Sequence, residues 1–308
     1  MSSLLDKRLL FVTGKGGVGK STVAIALGLL AARRGLRTIV AELASQERVQ
    51  GMFMDDGREQ FRELELAPGL FTISIDPQQA MEEYLRVKAG AIGQVLGSSR
   101  LFHAFAMATP GMRELLSIGK VWELAQLHRR TRGAAPYDLT IVDAPATGHG
   151  VGLLRTPRTF ADIARVGPIA HQGRTIADTI ADPEFTGVIA VATPEEMPVN
   201  ETMTLAGELA RDELPLVLVV VNALYPARFG AGEIAELNEA LTRTRSALAR
   251  SALRAALSEH ARAATQREQR DRLRECVNGR LVELPYVFAD EVALPQLEIL
   301  SGALEASL

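Results

Sequence analysis

The sequence predicts an α/β protein built on a doubly wound, mostly parallel sheet, and three features carry that reading. Short apolar runs of strand length fall at 9–13, 37–42, 71–75, 138–143, 187–193, 215–222 and 280–284. Several are almost unbroken, as in Leu216-Val217-Leu218-Val219-Val220-Val221, the pattern of central strands covered on both faces. Helical patterns separate most of the runs, the alternation that builds strand–helix–strand units around one sheet.

The first run, Leu9-Leu10-Phe11-Val12, precedes Gly14-Lys15-Gly16-Gly17-Val18-Gly19-Lys20-Ser21-Thr22, and the apolar stretch from Thr22 to Leu30 then reads as a helix. Strand, glycine loop and helix form the context in which G-x-x-x-x-G-K-[ST] is a phosphate-binding loop and not an ordinary glycine-rich turn. Backbone N–H groups of Gly16, Gly17, Val18, Gly19 and the helix start through Thr22 would close around phosphate oxygens, helped by the positive end of the helix. Lys20 would reach the β- and γ-phosphates, and Ser21 would sit on Mg²⁺. The expected fold is therefore that of a P-loop nucleoside triphosphatase. Lys15 adds a second lysine directly after the first glycine, the deviant Walker A pattern. Resemblance to deviant-loop ATPases implies that Lys15 crosses a dimer interface and neutralises the partner's phosphates, as an arginine finger does. A solvated loop lysine is the plain alternative.

The remaining elements follow in order. Residues 77–132 look largely helical, as do 150–182 with Pro and Gly breaks, and together they read as a helical subdomain inserted over the nucleotide edge of one domain spanning 1–308. Thr193-Pro194-Glu195-Glu196 resembles a capping box opening a helix near 195–211. Residues 231–275 read as helix, with Ile234, Leu237, Leu241 and Leu248 at helical spacing and an arginine-rich face expected to be solvated. Composition agrees: apolar residues are 47%, ample for a core, and a net charge of −3 gives no basic field for nucleic acid. The single Cys276 excludes an intrachain disulfide, and no apolar run approaches the ~20 residues of a membrane span. With no signal peptide evident, a cytoplasmic protein is expected.

The run Tyr137-Asp138-Leu139-Thr140-Ile141-Val142-Asp143 is a strand ending in a carboxylate, which could hold the Mg²⁺ shell beside Ser21. It continues as Ala144-Pro145-Ala146-Thr147-Gly148-His149. This D-A-P-A-T-G-H segment resembles the switch II of the arsenite-pump (ArsA-like) ATPase family, which includes the eukaryotic ATPase that guides tail-anchored proteins to the endoplasmic reticulum. Thr109-Pro110-Gly111-Met112-Arg113-Glu114, Pro194-Glu195 with Glu201-Thr202, Val220-Val221-Asn222 and Leu284-Pro285-Tyr286 are similar to further segments of that family. The resemblance implies ATP and Mg²⁺ as ligands, Asn222 and the Pro285 backbone at the adenine, and Asp143, Pro145, Thr147, Gly148 and His149 as a phosphate-sensing switch. It also implies a homodimer, or a heterodimer with a related ATPase chain, acting on an unidentified protein or membrane-protein client.

Three departures qualify it. The family's water-positioning D-P-A-H becomes Glu42-Leu43-Ala44-Ser45, so Glu42 is the catalytic candidate with a carboxylate one methylene longer. One cysteine excludes the multi-thiolate arsenic site and any C-x-x-C clasp, and the histidines at 103, 128, 149, 171 and 260 show no ligand spacing. Methionines cluster at 52, 54, 81, 107 and 112 instead of after the switch, where core packing is the simpler role. Two other functions fit the loop. One is a positioning ATPase of the chromosome-partitioning or division-site type, although the expected D-x-D-P and terminal amphipathic helix are missing. The other is a nucleotide-binding scaffold with weak hydrolysis.

Overall fold

The computed structural model describes residues 4–43, 48–53, 61–86, 109–131, 133–164, 168–277 and 280–308. Met54, Met107, His103, much of the 77–132 stretch and residues 44–46 after Glu42 lie outside these. The strands are β1 (Leu9–Gly14), β2 (Thr38–Glu42), β3 (Leu64–Ala67), β4 (Leu70–Ser74), β5 (Leu139–Asp143), β6 (Thr186–Ala192), β7 (Leu216–Leu224) and β8 (Arg280–Pro285). They form one sheet in the order β3-β4-β2-β5-β1-β6-β7-β8, parallel throughout except for β3 against β4.

All the expected strands are present, and β3 is an addition. Its sequence, Leu64-Glu65-Leu66-Ala67, is too short and too polar to read as an apolar run, and it is half-buried at the sheet edge. The Pro68-Gly69 turn that returns it antiparallel to β4 has the proline and glycine of a type II turn.

Besides a 3-10 turn at Leu4–Asp6, ten α-helices are described: α1 (Lys20–Arg33), α2 (Arg48–Gly51), α3 (77–86), α4 (Met112–Leu124), α5 (Thr147–Ala164), α6 (Pro168–Ala181), α7 (Glu196–Arg211), α8 (Ala231–Arg243), α9 (Ala247–Cys276) and α10 (Leu294–Ser307). Strand alternation sorts the core into two layers. Leu10, Val12, Val40, Ile141, Ile189 and Val220 face α1 and α10, whereas Leu9, Phe11, Ile39, Val142, Val188 and Val219 face α4, α5, α6, α7 and α9. Helix α1 is buried along nearly its whole length, because both the sheet and α10 pack against it.

Two local expectations change. Helix α7 starts at Glu196 with Glu195 as its N-cap, and no side-chain cap bond forms. The chain bends between Thr193 and Glu195, whose N–H donates to the Thr193 carbonyl, so the threonine hydroxyl is too far upstream to cap. The 231–275 stretch is two helices, because the Ser246 hydroxyl accepts from Ala249 N and restarts the helix there. Leu248 consequently falls out of phase with α8 and is exposed. Of the clustered methionines, Met81 is buried, and Met52 packs against the α1 side of the core.

A buried polar network joins the helices on the α4 side to the sheet. Arg129 reaches Glu123 Oε1 at 2.9 Å and Glu63 Oε1 at 2.6 Å, and Lys120 bridges Glu123 at 3.1 Å and Glu83 at 2.7 Å. Tyr137, at the foot of β5, donates to Glu63 at 2.7 Å, and Thr131 donates to Glu83 at 2.7 Å. Burial pushes the Glu123 carboxyl upward, but bonds from Arg129 and the charges of Lys120 and Arg129 outweigh it and hold the group at about 2. Burial and the bond to Glu63 raise the Tyr137 phenol, so it stays a neutral donor.

Because Glu123 is depressed below its ordinary 4.5, its contribution is complete above that value and is lost as pH falls towards about 2. Glu123→Gln should lower unfolding free energy at neutral pH by about 2–4 kcal/mol, since the Arg129 guanidinium loses a buried counter-ion. It should also flatten the acid limb between those pH values, which urea unfolding at several pH values checks.

Candidate nucleotide site

The site forms where β1 ends between β5 and β6, the point at which the sheet winds in opposite directions and where open α/β sheets bind ligands. Gly14 has φ +152, and a Cβ there would stand 2.1 Å from the Val191 carbonyl oxygen of β6, so only glycine lets the loop leave β1 at this angle. Gly19 is left-handed at φ +89 and serves as the N-cap of α1 with no side-chain cap bond. A Cβ at Gly19 would meet Asn222 Nδ2 at 2.3 Å. The first N–H groups of a largely apolar, buried helix are thus left facing the loop, an arrangement that favours an anion.

Lys15, Gly16, Gly17, Val18, Gly19, Lys20, Ser21 and Thr22 occupy this loop and the first turn of α1. Lys20 folds back and donates to the Lys15 carbonyl at 2.9 Å. Ser21 Oγ donates to Asp143 Oδ2 at 2.5 Å, although 122 positions separate them. A hydroxyl and a carboxylate, both hard oxygen donors beside a phosphate cradle, are the pair that suits Mg²⁺. Glu42 is buried at the end of β2 in direct register with Asp143, so two acidic side chains end neighbouring strands beside the loop. Pro145 follows β5, and Thr147, Gly148 and His149 form the first turn of α5.

Asn222 and Pro285 lie on the other flank. Asn222 Nδ2 donates to the Val18 carbonyl at 2.9 Å, clamping the loop to β7. Pro285 ends β8 opposite Leu224, and Tyr286 N donates to the Leu224 carbonyl at 2.9 Å. Next to them a cleft of about 450 Å³ opens, walled by loop residues 15–18 and by Ala223, Tyr225, Tyr286, Arg262 and Gln266. Tyr225 and Tyr286 stack with centroids 4.7 Å apart, Arg262 donates to the Tyr225 hydroxyl at 3.2 Å, and Gln266 accepts from Tyr225 N at 2.8 Å. Ala223 turns left-handed at φ 62 and breaks the β7–β8 register, which swings Tyr225 into the wall.

Arg262 and Gln266 are site residues that the sequence did not single out, and the Tyr225 and Tyr286 side chains were given no role of their own there. The tyrosines follow Asn222 and Pro285 closely, which was a usable signal. Arg262 and Gln266, one turn apart on α9, carry no mark in the sequence that they face the cleft. Glu201 of α7, which entered the sequence reading only within the Glu201-Thr202 segment, approaches the loop: its Oε1 lies 2.5 Å from Lys15 Nζ.

Asn222→Ala removes the amide that fastens Val18. Nucleotide affinity should fall roughly 3- to 10-fold, the effect of one hydrogen bond, with little change in Tm. Calorimetric titration alongside thermal melting checks both parts.

The sequence is similar to those of known ATPases. A family model described as anion-transporting ATPase matches residues 7–166 and 163–239. The ATPase BagA of Mycobacterium tuberculosis is 31% identical over 246 residues, covering 77% of this chain and 71% of that protein. An arsenical pump-driving ATPase of Acidiphilium multivorum is 27% identical over 241 residues, 70% of this chain but 39% of the longer relative. The ATPase GET3 of Podospora anserina is 23% identical over 265 residues, with 73% of this chain and 76% of that protein covered. The matched span contains the glycine loop, Asp143 and Asn222, and the chain therefore belongs to the anion-transporting ATPase family.

Proposed function

We propose that this chain hydrolyses ATP to ADP and phosphate as a Mg²⁺-dependent, dimeric ATPase whose nucleotide state drives a client-handling movement. The 2.5 Å contact between Ser21 and Asp143 carries the reading, because it brings the loop helix and the carboxylate-ended strand to one point beside the phosphate cradle. Mg²⁺ held there would neutralise charge developing on the transferred phosphoryl group. Lys20 leaves the Lys15 carbonyl to reach the β- and γ-phosphates, and the loop N–H groups orient the chain of phosphates. Glu42, beside Asp143, orients the attacking water. Lys15 acts on the partner's nucleotide, in a homodimer or with a related chain. The adenine enters the cleft beside Asn222 and Pro285, where the Tyr225–Tyr286 face offers it a stacking surface.

The switch is residues 143–149, which pass from β5 into α5; α5 in turn packs on α4 and α6. Helices α3, α4 and α6 enclose an apolar cavity of about 220 Å³, lined by Met81, Leu85, Met112, Leu115, Leu116 and Ile176. That cavity supports this side as the one that meets an apolar protein or membrane-protein client. Among the described residues no helix is long and apolar enough to cross a membrane. With Cys276 as the only cysteine, a multi-thiolate arsenic site is not part of the proposal. The longer carboxylate of Glu42 favours a second reading, slow intrinsic hydrolysis that a related chain or the client accelerates.

Steady-state turnover with Mg²⁺ is the test. Lys20→Ala should lose at least about 100-fold in kcat, as loss of a charge-stabilising group does. Lys15→Ala should lose turnover while retaining ATP binding. Full turnover in Lys20→Ala would remove the assignment.

A further inference from the structure

We infer that Glu201 is the positioning residue for Lys15, holding it away from its own chain's phosphate site until a partner chain arrives. The inference rests on the dimeric reading above and adds the residue that controls it. Lys15 follows β1 and Glu201 lies in α7, which follows the neighbouring β6, so the sheet order sets the two chains of residues side by side. Their 2.5 Å contact is half-exposed, with side-chain accessibilities of 30% and 35%, strong enough to fix a side chain and weak enough to exchange.

The same loop residue governs both lysines. The Lys15 carbonyl holds Lys20, while the Lys15 ammonium is drawn over to α7 by Glu201. Glu195 and Pro198 at the start of α7 line the cleft together with Lys15, and Glu201 stands further along the same helix. Without it, a long flexible cation next to a triphosphate would fold onto the nearest phosphates, those of its own chain. With it, nucleotide and Glu201 compete for the ammonium, and a partner's phosphates offer the lysine a second anion when the dimer closes. Glu201 thereby sets how much protein is needed for ATP-dependent association.

Glu201→Gln keeps the side-chain shape and removes the charge. Two readouts separate the pair from its consequence. In nucleotide-free protein, modification of Lys15 by an amine-reactive reagent, followed by peptide mass spectrometry, should be about two- to five-fold faster in the variant, the range for a partly exposed ion pair. With a slowly hydrolysed ATP analogue and Mg²⁺, the dimerisation midpoint by sedimentation should rise by a similar factor, because the released lysine folds onto its own chain's phosphates, and 0.5 M salt should abolish the difference, as screening requires. A faster-modified Lys15 with an unchanged midpoint would overturn the inference and leave the ATPase reading standing. Turnover lost by Glu201→Gln at saturating protein would also overturn it, by placing the carboxylate inside the assembled site. A wild-type chain that never associates with nucleotide would remove the dimeric reading and this inference together, whatever the modification rate.

Discussion

A Cβ on Gly14 would stand 2.1 Å from the Val191 carbonyl, and the rest of the site depends on that close approach. It lets the chain turn sharply at the C-terminal end of the central strand β1, so that α1 begins beneath the loop with its first N–H groups uncapped. Burial of α1 between the sheet and α10 then fixes its orientation, which carries Ser21 to Asp143 and brings Val18 within reach of Asn222. The loop is therefore clamped at both flanks, by β5 through a serine and by β7 through an asparagine. Such a clamp would spare the backbone much rearrangement on binding a polyphosphate, the preorganisation that the proposed phosphoryl transfer relies on.

A second constraint acts away from the loop. The Glu63–Arg129–Glu123–Lys120–Glu83 network lies under the α3, α4 and α6 helices, and its charges are paired at 2.6–3.1 Å. Buried ion pairs add modest net stability, but losing one member leaves a charge stranded, so the helices are held in one arrangement relative to the sheet. The Trp122 indole reinforces this by donating to Thr179 at 3.0 Å while Arg130 covers its ring at 4.7 Å. Between this anchored layer and the glycine loop lies α5, whose first turn holds the Thr147-Gly148-His149 end of the D-A-P-A-T-G-H segment. In the proposed mechanism, a change at the phosphates would have a short mechanical path to the apolar cavity, through one helix whose two neighbours are fixed.

The cleft flank shows how little of a binding wall is written locally. Val220-Val221-Asn222 marked a site, yet the asparagine amide fastens the loop, and the wall itself comes from Tyr225, Tyr286 and two residues of α9. The left-handed Ala223 decides which side chains after Asn222 turn inward, and nothing in the composition of Ala223-Leu224-Tyr225 announces that turn.

By itself, the sequence determined the parallel sheet, the glycine loop, the Ser21–Asp143 partnership and the family. Their signals are local: an apolar run of strand length, glycines where no Cβ fits, and, for Ser21 and Asp143, two separate short motifs, a glycine loop and a carboxylate ending a strand, that are 122 positions apart. Tertiary structure alone decided the edge strand β3, the break that exposes Leu248, the buried charge network and the Lys15–Glu201 pair. Those depend on which elements become neighbours. Lys15 and Glu201 are 186 positions apart, and they meet because β6 pairs with β1, an outcome of sheet order that no local pattern contains.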